Sequence, residues 1–339
     1  MKVVTFGELM LRLQPYNYLR IVQTENYEAT YGGGEANVAV SLANFGLDAY
    51  FVSKLPNNDI GQAGLNSLRK YGVHTDYIAR GGDRCGIYFL EKGASQRPSK
   101  VTYDRKYSSF YFSNPTDYNW DEIFKDATWF HVTGITPAVS PILREITIEA
   151  VKQAKKHGLK VSCDLNYRNK LWSKAEACET MTEVCKYVDV LIANEEDASD
   201  VFGIKPLNND VNSGKLNKEG YKSVATQLKD MFGFEKVAIT LRTSISAFDN
   251  KWAALLYDGT NFEFSKEYDI HIIDRVGGGD SFGAGLIYSL LNNYSTKDAI
   301  EFAVAASCLK HSIEGDYNFV SVDEVKKLIN SGGSGRVQR

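Results

Sequence analysis

With 339 residues, 43% hydrophobic content and a net charge of −3, the chain can bury a substantial core but carries no general basic field, which argues against nucleic acid as a main partner. Its five cysteines (Cys85, Cys163, Cys178, Cys185, Cys308) are odd in number, scattered and without a C-x-x-C pair, so neither a disulfide framework nor a zinc site is expected, and reduced thiols in the cytoplasm fit best. No signal-peptide pattern follows Met1 and no stretch approaches the roughly 20 apolar residues of a membrane span, so neither export nor a membrane partner is expected.

Lys2 to Glu8 reads as a buried strand closing on Gly7, the way a central strand of an α/β sheet delivers its carboxyl end to a site. Residues 8 to 31 then alternate apolar and polar (Leu9, Leu11, Leu13; Ile21, Gln23, Glu25) around a break at Pro15 and Asn17, which predicts half-buried strands of a separate small sheet. Gly32-Gly33-Gly34 leads into a helical pattern ending at Gly46, a helix N-terminus able to approach a polar ligand closely. Asn37, in its first turn, either meets a ligand hydroxyl or caps the helix. A strand at Tyr50 to Lys54 and a helix from Asp59 to Tyr71 follow. From Cys85 to Phe112 the alternation returns around a Gly93-to-Pro98 turn, a hairpin that rejoins the small sheet; two such insertions make a lid. Tyr103 and Arg105 share one face there, turned to a ligand or simply solvated.

The middle of the chain becomes rhythmic. Strands at 128–132, 160–164, 188–193 and 236–241 alternate with helices near 140–157, 175–187 and 221–232, which predicts a parallel sheet with helices on both faces. Ligands of such sheets lie beyond the carboxyl ends of the strands. Those ends are Asp164-Leu165-Asn166-Tyr167-Arg168, Asn194-Glu195-Glu196-Asp197 and Thr240-Leu241-Arg242-Thr243. Asn194, Glu196 and Asp197 are hard-oxygen groups suited to Mg²⁺, or acidic residues that favour a helix start. Arg168 and Arg242 can neutralise phosphate or carboxylate oxygens, or form surface ion pairs.

After a polar surface loop from Asn208 to Gly220, strands at 252–257 and 262–265 join through Asp258-Gly259. They lead to Asp274-Arg275-Val276-Gly277-Gly278-Gly279-Asp280-Ser281-Phe282-Gly283-Ala284-Gly285. Three glycines at a helix start can turn their amides toward one anion, and Asp280 at the mouth can take a proton; a triple glycine is also a plain tight turn, so context decides. The alanine-rich helix from Asp298 to His311 either leaves room for a flat ring or permits close helix packing. Gly315-Asp316 and a helix at 322–329 complete the fold, and the Gly/Ser-rich tail 331–339 is expected to be disordered.

Taken together, these pieces resemble the ribokinase-like (PfkB-type) carbohydrate kinases over nearly the whole chain, through Gly33-Gly34-x-x-Asn37 and Asp274-x-Val276-Gly277-Gly278-Gly279-Asp280-x-Phe282-x-Ala284-Gly285. The resemblance implies a three-layer α/β/α sandwich with a mostly parallel central sheet and a small β-sheet lid, one kinase domain over residues 1–330, and ATP-dependent phosphorylation of a sugar hydroxyl. It also implies Asp280 as base and Gly277 to Gly279 as anion hole. Arg97-Pro98-Ser99, Tyr103-Asp104-Arg105, Asp164-x-Asn166-x-Arg168 and Gly315-Asp316 further resemble the acid-sugar and nucleotide contacts of the 2-keto-3-deoxygluconate kinases within that family.

On this reading a sugar acid lies among Gly33, Gly34, Asn37, Tyr103, Arg105, Arg168 and Asp316 with its terminal hydroxyl at Asp280. ATP is met by Asn166, Arg168, Thr240, Arg242, Gly277 and Gly279, and Mg²⁺ by Asn194, Glu196 and Asp197. Two departures stand out: the family's metal-associated Asn-x-x-Glu is Asn194-x-x-Asp197, one methylene shorter, and its Gly-x-x-Gly after Thr240 is replaced by Arg242-Thr243-Ser244-Ile245-Ser246-Ala247. A neutral-sugar kinase of the fructose or ribose type, and a sugar or nucleotide sensor without catalysis, are the alternatives. Open lid strands point to two lids pairing in a homodimer or higher homo-oligomer.

Overall fold

The computed structural model describes residues 1–206 and 218–331. In chain order the strands are β1 (Lys2–Phe6), β2 (Met10–Pro15), β3 (Tyr27–Gly32), β4 (Asp48–Leu55), β5 (Ile78–Arg80), β6 (Gly86–Glu91), β7 (Lys100–Asp104), β8 (Ala127–Thr133), β9 (Lys160–Asp164), β10 (Val190–Asn194), β11 (Lys236–Ser244), β12 (Asp249–Tyr257), β13 (Phe262–Phe264) and β14 (Tyr268–His271). The helices are α1 (Gly34–Asn44), α2 (Asp59–Arg69), α3 (Trp120–Phe124), α4 (Thr136–Val139), α5 (Pro141–Lys156), α6 (Lys174–Cys185), α7 (Glu195–Phe202), α8 (Lys218–Phe232), α9 (Gly278–Leu291), α10 (Thr296–Lys310) and α11 (Val322–Ser331).

The apolar runs become the centre of a ten-stranded sheet of order β13-β12-β11-β10-β9-β8-β1-β4-β5, with β14 pairing on β12. From β11 to β5 every pairing is parallel, and β12 joins β11, β13 and β14 antiparallel. One core packs α5, α6 and α8 against one sheet face through residues such as Leu143, Met181 and Leu228. A second packs α1, α9 and α10 against the other through Val38, Phe282 and Phe302. Two buried faces explain why β1, β8 and β10 read as nearly unbroken hydrophobic runs.

Local chemistry sets the helix starts. The Ser140 hydroxyl accepts from Leu143 N at 3.4 Å with Pro141 in the first turn of α5, and Ser173 and Glu176 form a capping box on α6. The alanines of α10 serve close packing: a Cβ added to Gly285 of α9 would lie 2.9 Å from the Ala303 Cα, so α9 and α10 touch backbone to backbone and no ring-sized gap remains between them.

The lid is a separate four-stranded sheet, β3-β2-β6-β7, in which two hairpins are joined through the parallel pair β2 and β6. Both alternating stretches supply it, but the second ends sooner than expected: β7 stops at Asp104, and residues 105–112 turn back toward the large sheet. The short elements β5, β14, α3 and α4 had no periodic signal long enough to predict them. Of the expected polar loop, Lys218 to Gly220 belong to α8; the rest of it, and residues 332–339 of the tail, lie outside the described residues. Among the described residues no helix is long and apolar enough to cross a membrane, and all five cysteines are free thiols.

Candidate active site

A cleft of about 380 Å³ opens where the carboxyl ends of the parallel strands meet the lid. The two glycine turns face each other across it, since a Cβ on Gly34 at the start of α1 would lie 3.6 Å from Asp280 Oδ1 in the first turn of α9. Asn37 bridges them. Its Nδ2 donates to Asp280 Oδ2 at 2.7 Å while its Oδ1 accepts from Gly33 N at 3.3 Å, which fixes the amide's orientation. Burial pushes the Asp280 carboxyl up to about 7; the Asn37 hydrogen bond opposes that shift, Asp316 and Glu35 add to it, and Arg168 opposes it. A carboxylate tuned to neutrality at a helix N-terminus is suited to accept a proton beside an anion.

The glycine turn is shaped by close approach. Gly277 has φ +83°, and a Cβ there would fall on the Asp316 carbonyl oxygen and lie 3.2 Å from Lys310 Cε. Gly277 and Gly279 line the cleft, whereas Gly278 packs behind it, with its carbonyl accepting from Ser307 Oγ at 2.7 Å. Lys310, fully buried, donates to the Ile313 carbonyl at 3.1 Å; burial lowers its pKa against the pull of Asp274 and Asp316.

Glu35, to which the sequence assigned no role, anchors α1 to the end of β8. Its Oε1 accepts from Thr133 N at 3.0 Å, Thr133 Oγ1 at 2.8 Å and Thr136 Oγ1 at 2.7 Å, and burial raises its pKa.

On the lid side the expected Tyr103 and Arg105 line the cleft together with Glu8, Met10 and Tyr88. Arg105 lies just past β7 and is buried, its fork closed on Glu8: Nε and Nη2 reach Glu8 Oε2 at 2.8 and 2.5 Å, and Ser108 Oγ donates to Glu8 Oε1 at 2.6 Å. The charge expected to be open to a ligand is already balanced. Asp316 accepts from Tyr88 Oη at 2.6 and 2.7 Å and from Arg12 Nη1 at 2.6 Å, so its carboxylate is a structural acceptor as well as part of the cleft wall. Arg97 does not line the cleft; it pairs with Glu91 at 2.9 Å, and Ser99 Oγ accepts from Gly93 N at 2.9 Å.

The strand ends of the sheet line the far wall. Asn166, with φ +40°, turns the chain after β9 so that Arg168 is exposed and lines the cleft, its Nη1 donating to the Tyr167 carbonyl at 2.9 Å. Thr240 and Arg242 line it from β11, and Trp252 and Arg275, not anticipated from the sequence, complete that end. The expected metal trio divides. Asn194 and Asp197 form a capping box on α7, with Asp197 N donating to Asn194 Oδ1 at 2.7 Å and Tyr167 N to Asp197 Oδ1 at 3.0 Å, while Glu196 is exposed and does not line the cleft.

Among the described residues no three carboxylate, histidine or cysteine groups converge as a metal cage. Asp164 is the better acidic partner for Asp197: it lines the cleft, its carboxyl is pushed well up by burial and then by Asp197 and Asp280, and Asp197 is itself pushed up to about 6 by burial. Two crowded carboxylates at a cleft wall fit a magnesium ion that keeps most of its waters.

A cleft at the carboxyl ends of parallel strands, with facing glycine turns, a near-neutral aspartate and a covering sheet, defines a phosphoryl-transfer site of the ribokinase-like kind. The match of residues 1–322 to the family model for pfkB family carbohydrate kinases agrees, and the chain belongs to that family; it is a carbohydrate kinase. A crystal structure of a 2-dehydro-3-deoxygluconokinase from Thermotoga maritima is 52% identical and superposes with a TM-score of 0.94 over 98% of this chain and 100% of that one. A 2-dehydro-3-deoxygalactonokinase from Haloferax volcanii is 32% identical over 98% of each chain. A 2-dehydro-3-deoxygluconokinase from Bacillus subtilis is 28% identical over 92% of this chain and 90% of that one.

Proposed function

We propose that the chain, as one kinase domain over residues 1–330, transfers the terminal phosphoryl group of ATP to the terminal hydroxyl of a sugar acid, with 2-keto-3-deoxygluconate the leading substrate and its 6-phosphate the product. The observation that carries the reading is the Asn37-held Asp280 between two glycine turns: the hydroxyl loses its proton to Asp280 as its oxygen attacks phosphorus, and the Gly277 to Gly279 backbone with the α9 N-terminus faces the charge that develops. Arg168, exposed beside the cleft, and the Arg105–Glu8 pair with Tyr103 are the groups suited to an acid sugar; the names of the relatives favour the same substrate class. Asp164 and Asp197 would hold Mg²⁺ through water, and that ion, when bound, neutralises phosphate charge.

A neutral-sugar kinase is the second reading, because Glu8 already compensates Arg105. A panel of 2-keto-3-deoxygluconate, its galactonate epimer, fructose and ribose with coupled ADP detection separates the two. The acid sugars should be turned over with the highest kcat/KM, and preference for fructose or ribose would overturn the acid-sugar reading. ATP and sugar bound with no ADP formed from any of them would leave a sensor. The free thiols fit the cytoplasm, and the open edges of β3 and β7 favour a homodimer joined lid to lid.

A further inference from the structure

Among the described residues Lys310 is the only lysine with no exposed surface, and no step of the proposed reaction uses it. It ends α10, and its Cε would lie 3.2 Å from a Cβ added to Gly277, so the side chain runs against the glycine turn without lining the cleft. An ammonium has three donors, of which one reaches the Ile313 carbonyl at 3.1 Å. The carboxylates that act on it most strongly, Asp274 and Asp316, are both bonded to Arg12. Two negative charges against one guanidinium leave one uncompensated, and Lys310 supplies the missing positive charge. Asp274 also accepts from Val276 N and from Gly315 N, each at 3.1 Å, so this cluster joins the turn to the loop after α10.

We infer that Lys310 is a positioning residue: its ammonium is a built-in cation that holds the Gly277 turn in the shape that faces the transferred phosphoryl group. The inference rests on the role proposed above for Gly277 to Gly279. The end of α10 fastens the turn at three places: Ser307 Oγ donates to the Gly278 carbonyl at 2.7 Å, the His311 carbonyl accepts from Ile273 N at 2.8 Å and Asp274 N at 3.3 Å, and Lys310 lies against Gly277. Burial pushes the His311 ring down to about 4, so at neutral pH Lys310 alone of the three brings charge. A cation at the carboxyl end of a helix is favoured by the helix dipole. Gly277 sits at φ +83° with the Asp316 carbonyl oxygen where a Cβ would be, so any shift of Asp316 or of the loop that leads to it moves the turn itself. A fixed ammonium opposes that shift through its attraction to both carboxylates. An apolar side chain of the same length would fill the space and would not.

Lys310→Met, which keeps the bulk without the charge, and Lys310→Ala, which opens the space, test this by steady-state assay below the melting temperature of each, with near-UV circular dichroism to identify folded protein. Both should lower kcat about 10- to 100-fold with the KM for sugar little changed, because a turn misplaced by a fraction of an ångström loses the transition state and not the acceptor. Ethylammonium should restore kcat saturably in Lys310→Ala and not in Lys310→Met, where the space is filled, and neutral ethanol should restore neither; a merely structural lysine would not divide the variants in this way. Should Lys310→Ala fail to fold, Lys310→Met carries the test. A kcat for Lys310→Met within about twofold of wild type, a loss confined to the sugar KM, or ethylammonium and ethanol acting alike in Lys310→Ala would overturn the assignment. Failure of the proposed function is separate: wild type would turn over none of the sugars, and calorimetry would then decide Lys310, with ATP bound more weakly by Lys310→Met and AMP bound as by wild type if the lysine holds the turn, and both unchanged if it does not.

Discussion

Asp280 carries the most exposed claim at the scale of single residues. Asp280→Asn should lower kcat by about 10²- to 10⁴-fold while nucleotide binding persists, measured by steady-state assay beside calorimetry. In the wild type the rate should rise with pH through a limb near 7, because the base works deprotonated. Asn37→Ala removes the amide that favours the charged form, so that limb should move to higher pH; an unmoved limb would detach Asn37 from the base. The same group has a stability signature. Its folded pKa of about 7 exceeds the ordinary 3.8, so between those values the native state holds a proton that the unfolded chain has released. Its contribution is therefore fully present below the unfolded pKa and lost as pH rises through the folded one. Asp280→Asn should accordingly match wild type in melting temperature near about pH 4 and exceed it increasingly toward about pH 8. A gap constant with pH would contradict the raised pKa. Asp280 was legible as a candidate because a glycine turn and an aspartate are local; the amide bonded to it sits on another helix, 243 residues away, and was legible only as one of two roles for Asn37.

Secondary-structure elements show where local pattern stops informing. Alternation found β2, β3 and β6, because it depends on neighbours within a few residues, whereas the Asn194 cap of α7 went unread as a cap because the same oxygen also suited a metal. Alternation also put Arg105 on a strand face beside Tyr103, where its fork instead turns inward to Glu8, a residue from the other end of the lid insertion. Nor does alternation reveal that Arg12 of β2 fastens the lid to the anion turn, bonding Asp274, Asp316 and Gln14 while nearly inaccessible to solvent. Burial lowers the pKa of that guanidinium, but Asp316 and Asp274 outweigh it and hold it charged. Arg12→Met should destabilise the protein by about 3 to 5 kcal/mol in urea unfolding, because it strands two buried carboxylates. Adding Asp274→Asn should restore part of the loss, and additive losses would mean that the groups are not coupled. At the start of α9, Gly277→Ala meets both a left-handed φ and the Asp316 carbonyl, so turnover should collapse even where the fold survives; retained kcat would show that the turn need not be this tight.

At the scale of the whole molecule, the sequence told which strand ends carry polar groups but not their order, and order is what makes a site. The sheet sets β8, β9, β10 and β11 side by side and brings Asp164 at the end of β9 near Asp197 in the first turn of α7, which follows the neighbouring strand β10, so the acidic pair suited to magnesium spans two elements rather than one helix start. No periodicity encodes that adjacency, since it follows from crossover connections closing on a common core. The lid poses the remaining whole-molecule question. β3 and β7 are its outer strands, and large apolar side chains stand exposed around it: Val22 at 88%, Tyr107 at 61%, Phe112 at 58% and Tyr16 at 53%. Open edges with apolar flanks favour pairing with a second copy. Sedimentation equilibrium should therefore find a dimer, and Val22→Asp combined with Tyr16→Asp should shift it toward monomer with little change in the melting temperature, because both side chains are largely exposed in the single chain. A wild-type monomer at tens of micromolar, or a dimer indifferent to both charges, would refute pairing through the lid.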